Sequence, residues 1–155
     1  MNPSRIFLRC ITASAVFAAT LAGHALAAGP DAAPPAAAAA TTRERAIFAV
    51  SDADPQKWSL TLGNIANAID ALGADGADIE LVAYGPGIAM LKKDSPVADK
   101  LAAAMKNGLR VAACQHSMHG YKLEIGDLAP GVGVVPSGVV ELIRREHAGY
   151  AYVRS

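Results

Sequence analysis

The residues best suited to chemistry lie close together, between Cys114 and His119. A cysteine thiolate is a strong nucleophile, and an imidazolium or the positive end of a helix beside it would favour that ionised form. His116 and His119 follow the cysteine two and five residues later. The segment therefore predicts thiol chemistry on Cys114, with the two histidines tuning the thiol, although each histidine could equally be an exposed loop residue.

The same three side chains could also serve as metal ligands. Sulfur and imidazole together suit borderline metal ions. Three ligands spaced as closely as Cys114, His116 and His119 do not match a zinc-binding signature, however. We therefore expect no metal ion at this segment.

The motifs of several other catalytic sites are missing from the sequence. The Gly85-Pro86-Gly87 loop lacks the third glycine of a dinucleotide fingerprint, and the chain has no Walker sequence. Ser137 does not lie in a nucleophile elbow. We expect no cofactor.

Five short apolar segments predict the strands that must position the cysteine. The first is a continuous apolar run ended by Ser51-Asp52, the second is closed by Gly85-Pro86-Gly87, and the third runs straight into Cys114. The predicted strands cover residues 46–50, 79–84, 109–113, 132–135 and 150–153.

Helix signals lie between these strands. Asp54-Pro55 supplies a cap and a first-turn proline, and the apolar residues that follow have helical spacing up to Gly73. Ser95-Pro96 and Ser137 begin two further predicted helices. Alternating strands and helices predict an α/β domain, a three-layer sandwich of helices on both faces of a mostly parallel five-stranded sheet. The strand order does not follow from the sequence.

The predicted fold class places Cys114 at the edge of the sheet formed by the carboxyl ends of the strands. In open α/β sheets, ligands bind beyond the carboxyl ends of the strands, where the strand order reverses. Cys114 follows the third predicted strand directly, whereas a structural cysteine is more often packed within a strand. The other residues expected at this edge are Ser51, Asp52, 84–87, Pro136 and Ser137.

The first residues predict export. Arg5 and Arg9 precede an apolar stretch over 11–26, and Ala25-Leu26-Ala27 is a small-residue cleavage site. The stretch is shorter than the ~20 residues of a membrane-spanning helix. We expect a signal peptide over 1–27, a periplasmic location and no membrane attachment after cleavage. Cys10 would leave with this peptide.

The remaining chain divides into a tether and a folded domain. Residues 28–42 are rich in alanine and proline without an apolar period, which is typical of a flexible tether. The folded domain is predicted over 43–155. The whole chain has 14 basic and 14 acidic residues, and this balance argues against binding to nucleic acid.

Several blocks of the sequence resemble the DsrE/DsrF-like family, and in particular its exported, single-domain members. The resemblance covers essentially all of residues 44–155. The blocks that carry it lie at 54–58, 63–68, 82–87, 111–118 and 131–142.

This resemblance implies both a fold and a chemistry. It implies a three-layer α/β/α sandwich with a parallel five-stranded sheet. The best-understood relatives are cytoplasmic sulfur-relay subunits that carry sulfur as a persulfide on a cysteine and assemble into trimers and hexamers. It implies Cys114 as the sulfur-carrying residue, a homotrimer or homohexamer, and a sulfur donor and acceptor as partners.

Two classes of function remain open from the sequence. The first is a sulfur carrier or transferase with the persulfide on Cys114, tuned by His116 or His119. The second is a non-catalytic module that binds a small ligand or metal ion, or supports assembly, through the same crevice. The reactivity of the thiol discriminates between them, because a carrier needs a fast-reacting Cys114.

Overall fold

The structure is a computed structural model, and it describes residues 43–154. The predicted signal peptide and tether, residues 1–42, lie outside the described residues. No helix within the described range is long and apolar enough to cross a lipid bilayer.

Five strands and four α-helices alternate along the described chain. The strands are β1 Glu44–Val50, β2 Ala77–Ala83, β3 Arg110–Cys114, β4 Gly133–Val135 and β5 Ala151–Arg154. The α-helices are α1 Pro55–Leu72, α2 Ala98–Lys106, α3 Gln115–Gly120 and α4 Gly138–His147. Two 3₁₀ helices, Gly85–Leu91 and Ile125–Asp127, lie in the connections.

The strands form one sheet in the order β4-β3-β2-β1-β5. Every neighbouring pair is parallel, which confirms the predicted α/β sheet. The first three connections step across the sheet in one direction, and the last steps back past β1. Because parallel crossovers are right-handed, α4 lies on the face opposite α1, α2 and α3.

Two hydrophobic clusters confirm the three layers. Successive side chains of a strand point to opposite faces. Phe48 of β1 accordingly belongs to the larger cluster, with Trp58 of α1, whereas its neighbour Ile47 joins Leu142 of α4 in the smaller one. Within the described part of the chain, one face of the sheet is thus covered by several helices and the other by α4 alone.

Helix α1 forms where its capping signals predict. The Asp54 side chain accepts a hydrogen bond from the Gln56 N–H at 2.8 Å, and Pro55 opens the first turn. Gly73 ends the helix with φ +76°, a conformation that favours glycine. Four apolar residues on one side of the helix are buried: Trp58, Leu62, Ile65 and Ile69.

The connection after β2 differs from the prediction. The sequence predicts a loop at Gly85-Pro86-Gly87, but the chain forms a 3₁₀ helix over Gly85–Leu91, with Ile88, Met90 and Leu91 fully buried. A Cβ atom on Gly87 would collide with the Val50 carbonyl oxygen, so this close approach requires glycine. The apolar run is core rather than surface.

The start of α2 is also later than predicted. The helix begins at Ala98, not at Ser95-Pro96. Ser95 instead accepts the Val97 N–H through its hydroxyl and the Ala98 N–H through its carbonyl. These bonds make a turn that precedes the helix, a common use of serine.

A cluster of charged residues holds α4 at the amino end of the sheet. Glu80 of β2 is 3% exposed and lies 2.9 Å from Arg145 and 3.3 Å from Arg110. Arg145 also donates to Glu141 of α4 at 2.7 Å. We call Glu80, Arg110, Glu141 and Arg145 the charged cluster; it lies at the end of the sheet opposite Cys114.

Candidate functional site

Cys114 lies at the edge of the sheet where the connections after β3 and β4 leave on opposite faces. It is the last residue of β3 and pairs in register with Val135 of β4. After β3 the chain continues into α3 on one face of the sheet, and after β4 it continues into α4 on the other face. The carboxyl ends of β3 and β4 therefore border a topological switch point, the place where α/β sheets bind ligands.

The starts of two helices meet at the cysteine. Cys114 is the residue that precedes α3, and Gly138 is the first residue of α4. A Cβ atom on Gly138 would lie 3.2 Å from Cβ of Cys114 and 3.0 Å from Cβ of Tyr84. Only glycine lets the start of α4 approach the cysteine this closely without displacing a neighbour.

The thiol is buried but polar hydrogens surround it. Cys114 is 4% exposed. Burial raises the pKa of its thiol, but the Ser117 hydroxyl and the backbone N–H groups of Gly138, Ser117 and His116 outweigh burial and bring that pKa below its ordinary value. Free N–H groups at helix starts stabilise negative charge. The arrangement can therefore hold a thiolate.

Ser117 joins two of the strand ends. Its Oγ accepts a hydrogen bond from the Gly85 N–H at 2.7 Å, across a separation of 32 residues. No role for Ser117 is predicted from the sequence. A signal was present, because Ser117 is the third residue of the helix that Cys114 precedes, and the side chains at these two positions commonly interact.

His116 is exposed and contacts the end of β4. Its Nδ1 lies 3.1 Å from the Pro136 carbonyl oxygen. A carbonyl oxygen only accepts hydrogen bonds, so Nδ1 carries the proton in this contact. His116 is thus close to Cys114 in the sequence, and its ring is hydrogen-bonded to the residue that follows β4, on the other side of the switch point.

His119 has no such contact. It is exposed in the last turn of α3. In residues 43–154 its side chain makes no hydrogen bond, so the structure gives no link between its imidazole and Cys114. No group of three or more histidine, cysteine, aspartate or glutamate side chains within this range is placed to hold a metal ion.

The other residues predicted at this edge have structural contacts. Asp52 forms an exposed ion pair with Lys57 at 2.9 Å, and its carbonyl oxygen accepts from the Trp58 indole at 2.7 Å. Ser137 precedes α4, as predicted, but its side chain makes no capping hydrogen bond. The features centred on the thiol are therefore Ser117, Gly138 and the start of α3.

The similarities to known proteins lie in the part of the chain that the structure describes. The model of the DsrE/DsrF-like family matches residues 44–154. A solved protein of unknown function from Methanobacterium thermoautotrophicum is 31% identical, with a TM-score of 0.69, and the match covers 72% of this chain and 99% of that chain. No significant match to a curated protein was found.

Two further solved structures share the fold. The ychN protein from E. coli is 18% identical with a TM-score of 0.59, and the match covers 72% of this chain and 99% of that one. A conserved protein of unknown function from Bacteroides thetaiotaomicron is 14% identical with a TM-score of 0.57, covering 72% and 95%. At these identities the likeness concerns the fold alone.

Proposed function

This chain belongs to the DsrE/DsrF-like family, and from that premise we propose that it carries or transfers sulfane sulfur as a persulfide on Cys114. The observation that carries the proposal is the thiol at the switch point, with the starts of α3 and α4 directed at it. A sulfur carrier needs a nucleophilic sulfur, and the lowered pKa of Cys114 supplies more thiolate at neutral pH than an ordinary cysteine would have.

The uptake step is a displacement at sulfur. The Cys114 thiolate attacks the outer sulfur of thiosulfate, a new S–S bond forms, and the old S–S bond breaks to release sulfite with its electron pair. The product is an anionic persulfide on Cys114, so no external oxidant or reductant is needed. In the transfer step an acceptor thiolate attacks the outer sulfur, and Cys114 leaves as the thiolate.

Burial of Cys114 bears on the sulfur donor. With 4% exposure, the thiol is more accessible to a small anion than to another protein's cysteine. We therefore expect thiosulfate or an inorganic polysulfide to load the protein faster than a protein persulfide does. The acceptor is another molecule, because the only other cysteine of the chain is Cys10, in the predicted signal peptide.

The same burial favours a second candidate function. A buried thiol with the N–H groups of two helix starts around it could instead be part of a non-catalytic module that binds a small ligand or supports assembly. In that case Cys114 would be structural and slow to react. Its reactivity is therefore the property to measure.

Mass spectrometry of the intact protein tests the proposal. Wild-type protein is exposed to thiosulfate or polysulfide and compared with Cys114→Ser, a nearly isosteric substitution. We expect wild type to gain the mass of one sulfur atom and the variant to gain none. An unchanged wild-type mass would leave the binding module as the better explanation.

Location and assembly form part of the proposal. We expect the signal peptide to be cleaved and the mature protein to act in the periplasm, without nucleic acid or membrane as partner. We also expect a homotrimer or homohexamer. The apolar side chains Ile88, Met90 and Leu91 beside the switch point are fully buried, so another surface must form this contact.

Helix α4 offers that surface. Val139, Val140 and Ile143 are 51%, 42% and 47% exposed on α4, which is the only helix in residues 43–154 that covers its face of the sheet. We call these three residues the α4 apolar patch. Contiguous exposed apolar residues of this kind often mark a protein interface. A second copy of this chain suits the patch, because closed symmetry buries the same patch on every subunit.

A further inference from the structure

A groove runs between α1 and α2, and its cavity volume is about 240 Å³. Ser59 and Lys100 lie at one end, and Ile69 and Asn107 lie at the other. At the rise of a helical residue, these ends are about 10–15 Å apart. The walls between them consist of small or apolar residues: Leu62, Gly63 and Ala66 of α1, and Ala103 and Ala104 of α2.

The groove is open because small residues face each other across it. Protein interiors are close-packed, and two helices in contact normally fill the space between them with side chains. Gly63 has no side chain, and a Cβ atom there would have no neighbour within 4 Å. Glycine is disfavoured relative to alanine inside a helix, and the contacts of α1 among the described residues do not require it here. Gly63 does, however, keep the wall of the groove open.

Lys100 brings a positive charge to one end of this apolar groove. Its Nζ donates to the Ser59 hydroxyl oxygen at 3.4 Å, which is a long hydrogen bond between the two helices. Within residues 43–154 Lys100 forms no ion pair, and none of the described residues that line the groove is acidic. The ammonium group has further N–H donors for another acceptor. A negatively charged acceptor would complement this end of the groove.

We propose that the groove binds a small organic anion with an aliphatic body, namely a free medium-chain carboxylate. Its carboxylate lies at Lys100, and its tail runs along Gly63 and Ala66 toward Ile69. Burial of the tail drives binding, and the single cation matches the single negative charge. The length of the groove suits an extended chain such as that of octanoate.

The size of the groove favours this small ligand over a protein segment. A protein partner in a stable complex covers about 800 Å² on each side, which is far more surface than a groove about 10–15 Å long offers. The site is also separate from the proposed persulfide chemistry, because no residue of the switch point lines it. Cys114→Ser should therefore bind the carboxylate like wild type.

Isothermal titration calorimetry with octanoate and octanamide tests the proposal. The two compounds have the same chain, but the amide carries no charge. We expect wild type to bind octanoate about two- to fivefold more tightly than octanamide, which is the effect of a solvent-exposed ion pair. Lys100→Met keeps a long side chain without the charge and should bind both compounds with the same affinity.

A leucine in the wall of the groove tests the position of the tail. In Gly63→Leu the new side chain would occupy the groove, so binding of octanoate should be lost. The helix should be kept, because leucine favours a helix more than glycine does. Asn64→Leu adds the same side chain at the next, exposed position of α1, which does not line the groove, and should bind octanoate like wild type. Circular dichroism checks that both variants fold.

Three results would overturn the proposal. The first is a wild-type protein that binds no octanoate at millimolar concentration, or that binds octanoate and octanamide equally. The second is wild-type affinity in Gly63→Leu, or the same loss in both leucine variants. The third is a loss of octanoate affinity in Lys106→Met, near the other end of α2, but not in Lys100→Met. None of these measurements uses a sulfur donor, so they leave the proposed function to its own test.

Discussion

At the scale of single residues, burial and polar hydrogens act on Cys114 in opposite directions. Burial alone would make the thiol inert, since a charged sulfur is poorly solvated inside a protein. The Ser117 hydroxyl and the N–H groups of His116, Ser117 and Gly138 reverse that effect. The chemistry of the site therefore depends on how closely the start of α4 approaches the cysteine.

Gly138→Ala tests that approach. The added methyl group would meet Tyr84 at 3.0 Å and Cys114 and Val82 at 3.2 Å. We expect a loss of about 1–3 kcal/mol in the free energy of unfolding, from overpacking, together with slower alkylation of Cys114 at neutral pH because α4 is pushed away from the sulfur. Urea unfolding and alkylation rates measure the two effects.

Gly63→Ala is the matched control for this substitution. Gly63 lies within α1, and a Cβ atom there has no neighbour within 4 Å. Alanine favours a helix interior over glycine by about 1 kcal/mol, so this variant should be slightly more stable and should label normally. If Gly138→Ala behaved like Gly63→Ala, the close approach at the cysteine would not matter.

The sequence predicted part of this site. The position of Cys114 could be read from an apolar run that ends in a cysteine, because strand ends are local features. The bond between Ser117 and Gly85 and the approach of Gly138 to Cys114 could not be predicted, since these partners are 32 and 24 residues apart in the sequence. Contacts between residues so far apart in the sequence depend on the strand order, which cannot be predicted from the local sequence pattern.

At the scale of elements, strands were easier to predict than connections. The strands are continuous apolar segments, and α1 has capping residues and a helical apolar period. The 3₁₀ helix Gly85–Leu91 has neither, because Gly-Pro-Gly is typical of a turn and its apolar residues are buried on several sides. The late start of α2 has a similar origin, since Ser95-Pro96 suits a turn as well as a helix start.

The charged cluster holds α4 in place and has a consequence for stability. Burial raises the pKa of Glu80, and although Arg145 and Arg110 oppose this, the pKa stays above its ordinary value. The folded protein therefore binds a proton at Glu80 more readily than the unfolded chain does. The resulting stabilisation is present at acidic pH and is lost as pH rises through the raised pKa.

Glu80→Gln should remove this pH dependence. We expect the stability of wild type relative to Glu80→Gln to fall as pH rises from about 4 toward neutral, as measured by urea unfolding at a series of pH values. Glu146→Gln, at an exposed position of α4, controls for the loss of one carboxylate. A difference that grew with pH would contradict the raised pKa.

At the scale of the whole molecule, the two faces of the sheet are unequally covered. In residues 43–154 this asymmetry leaves the α4 apolar patch exposed, and we propose this patch as the contact surface for a second copy. Ile143→Asp should place a charge in that contact and reduce the assembly to a smaller species, as measured by light scattering at micromolar concentration.

Leu60→Asp is the control for the assembly test. Leu60 is 57% exposed but lies on α1, on the other face of the sheet. We expect this variant to assemble like wild type. A monomeric wild-type protein would contradict the proposed trimer or hexamer, and loss of assembly in both variants would exclude α4 as the specific contact.

Export is a separate property of the whole chain. If residues 1–27 are a signal peptide, the mature protein should begin at or near Ala28 and be released with the periplasmic fraction. N-terminal sequencing of the purified protein measures this. An intact Met1 in a membrane fraction would contradict it.

The most direct test of the central claim follows one sulfur atom onto Cys114 and off it. Wild-type protein is loaded with thiosulfate, freed of excess reagent and treated with cyanide, which takes the outer sulfur of a persulfide as thiocyanate and leaves the thiolate. We predict close to one thiocyanate per chain from wild type and none from Cys114→Ser, with the original wild-type mass restored. Equal, negligible thiocyanate from both proteins would contradict the account and leave Cys114 a structural residue.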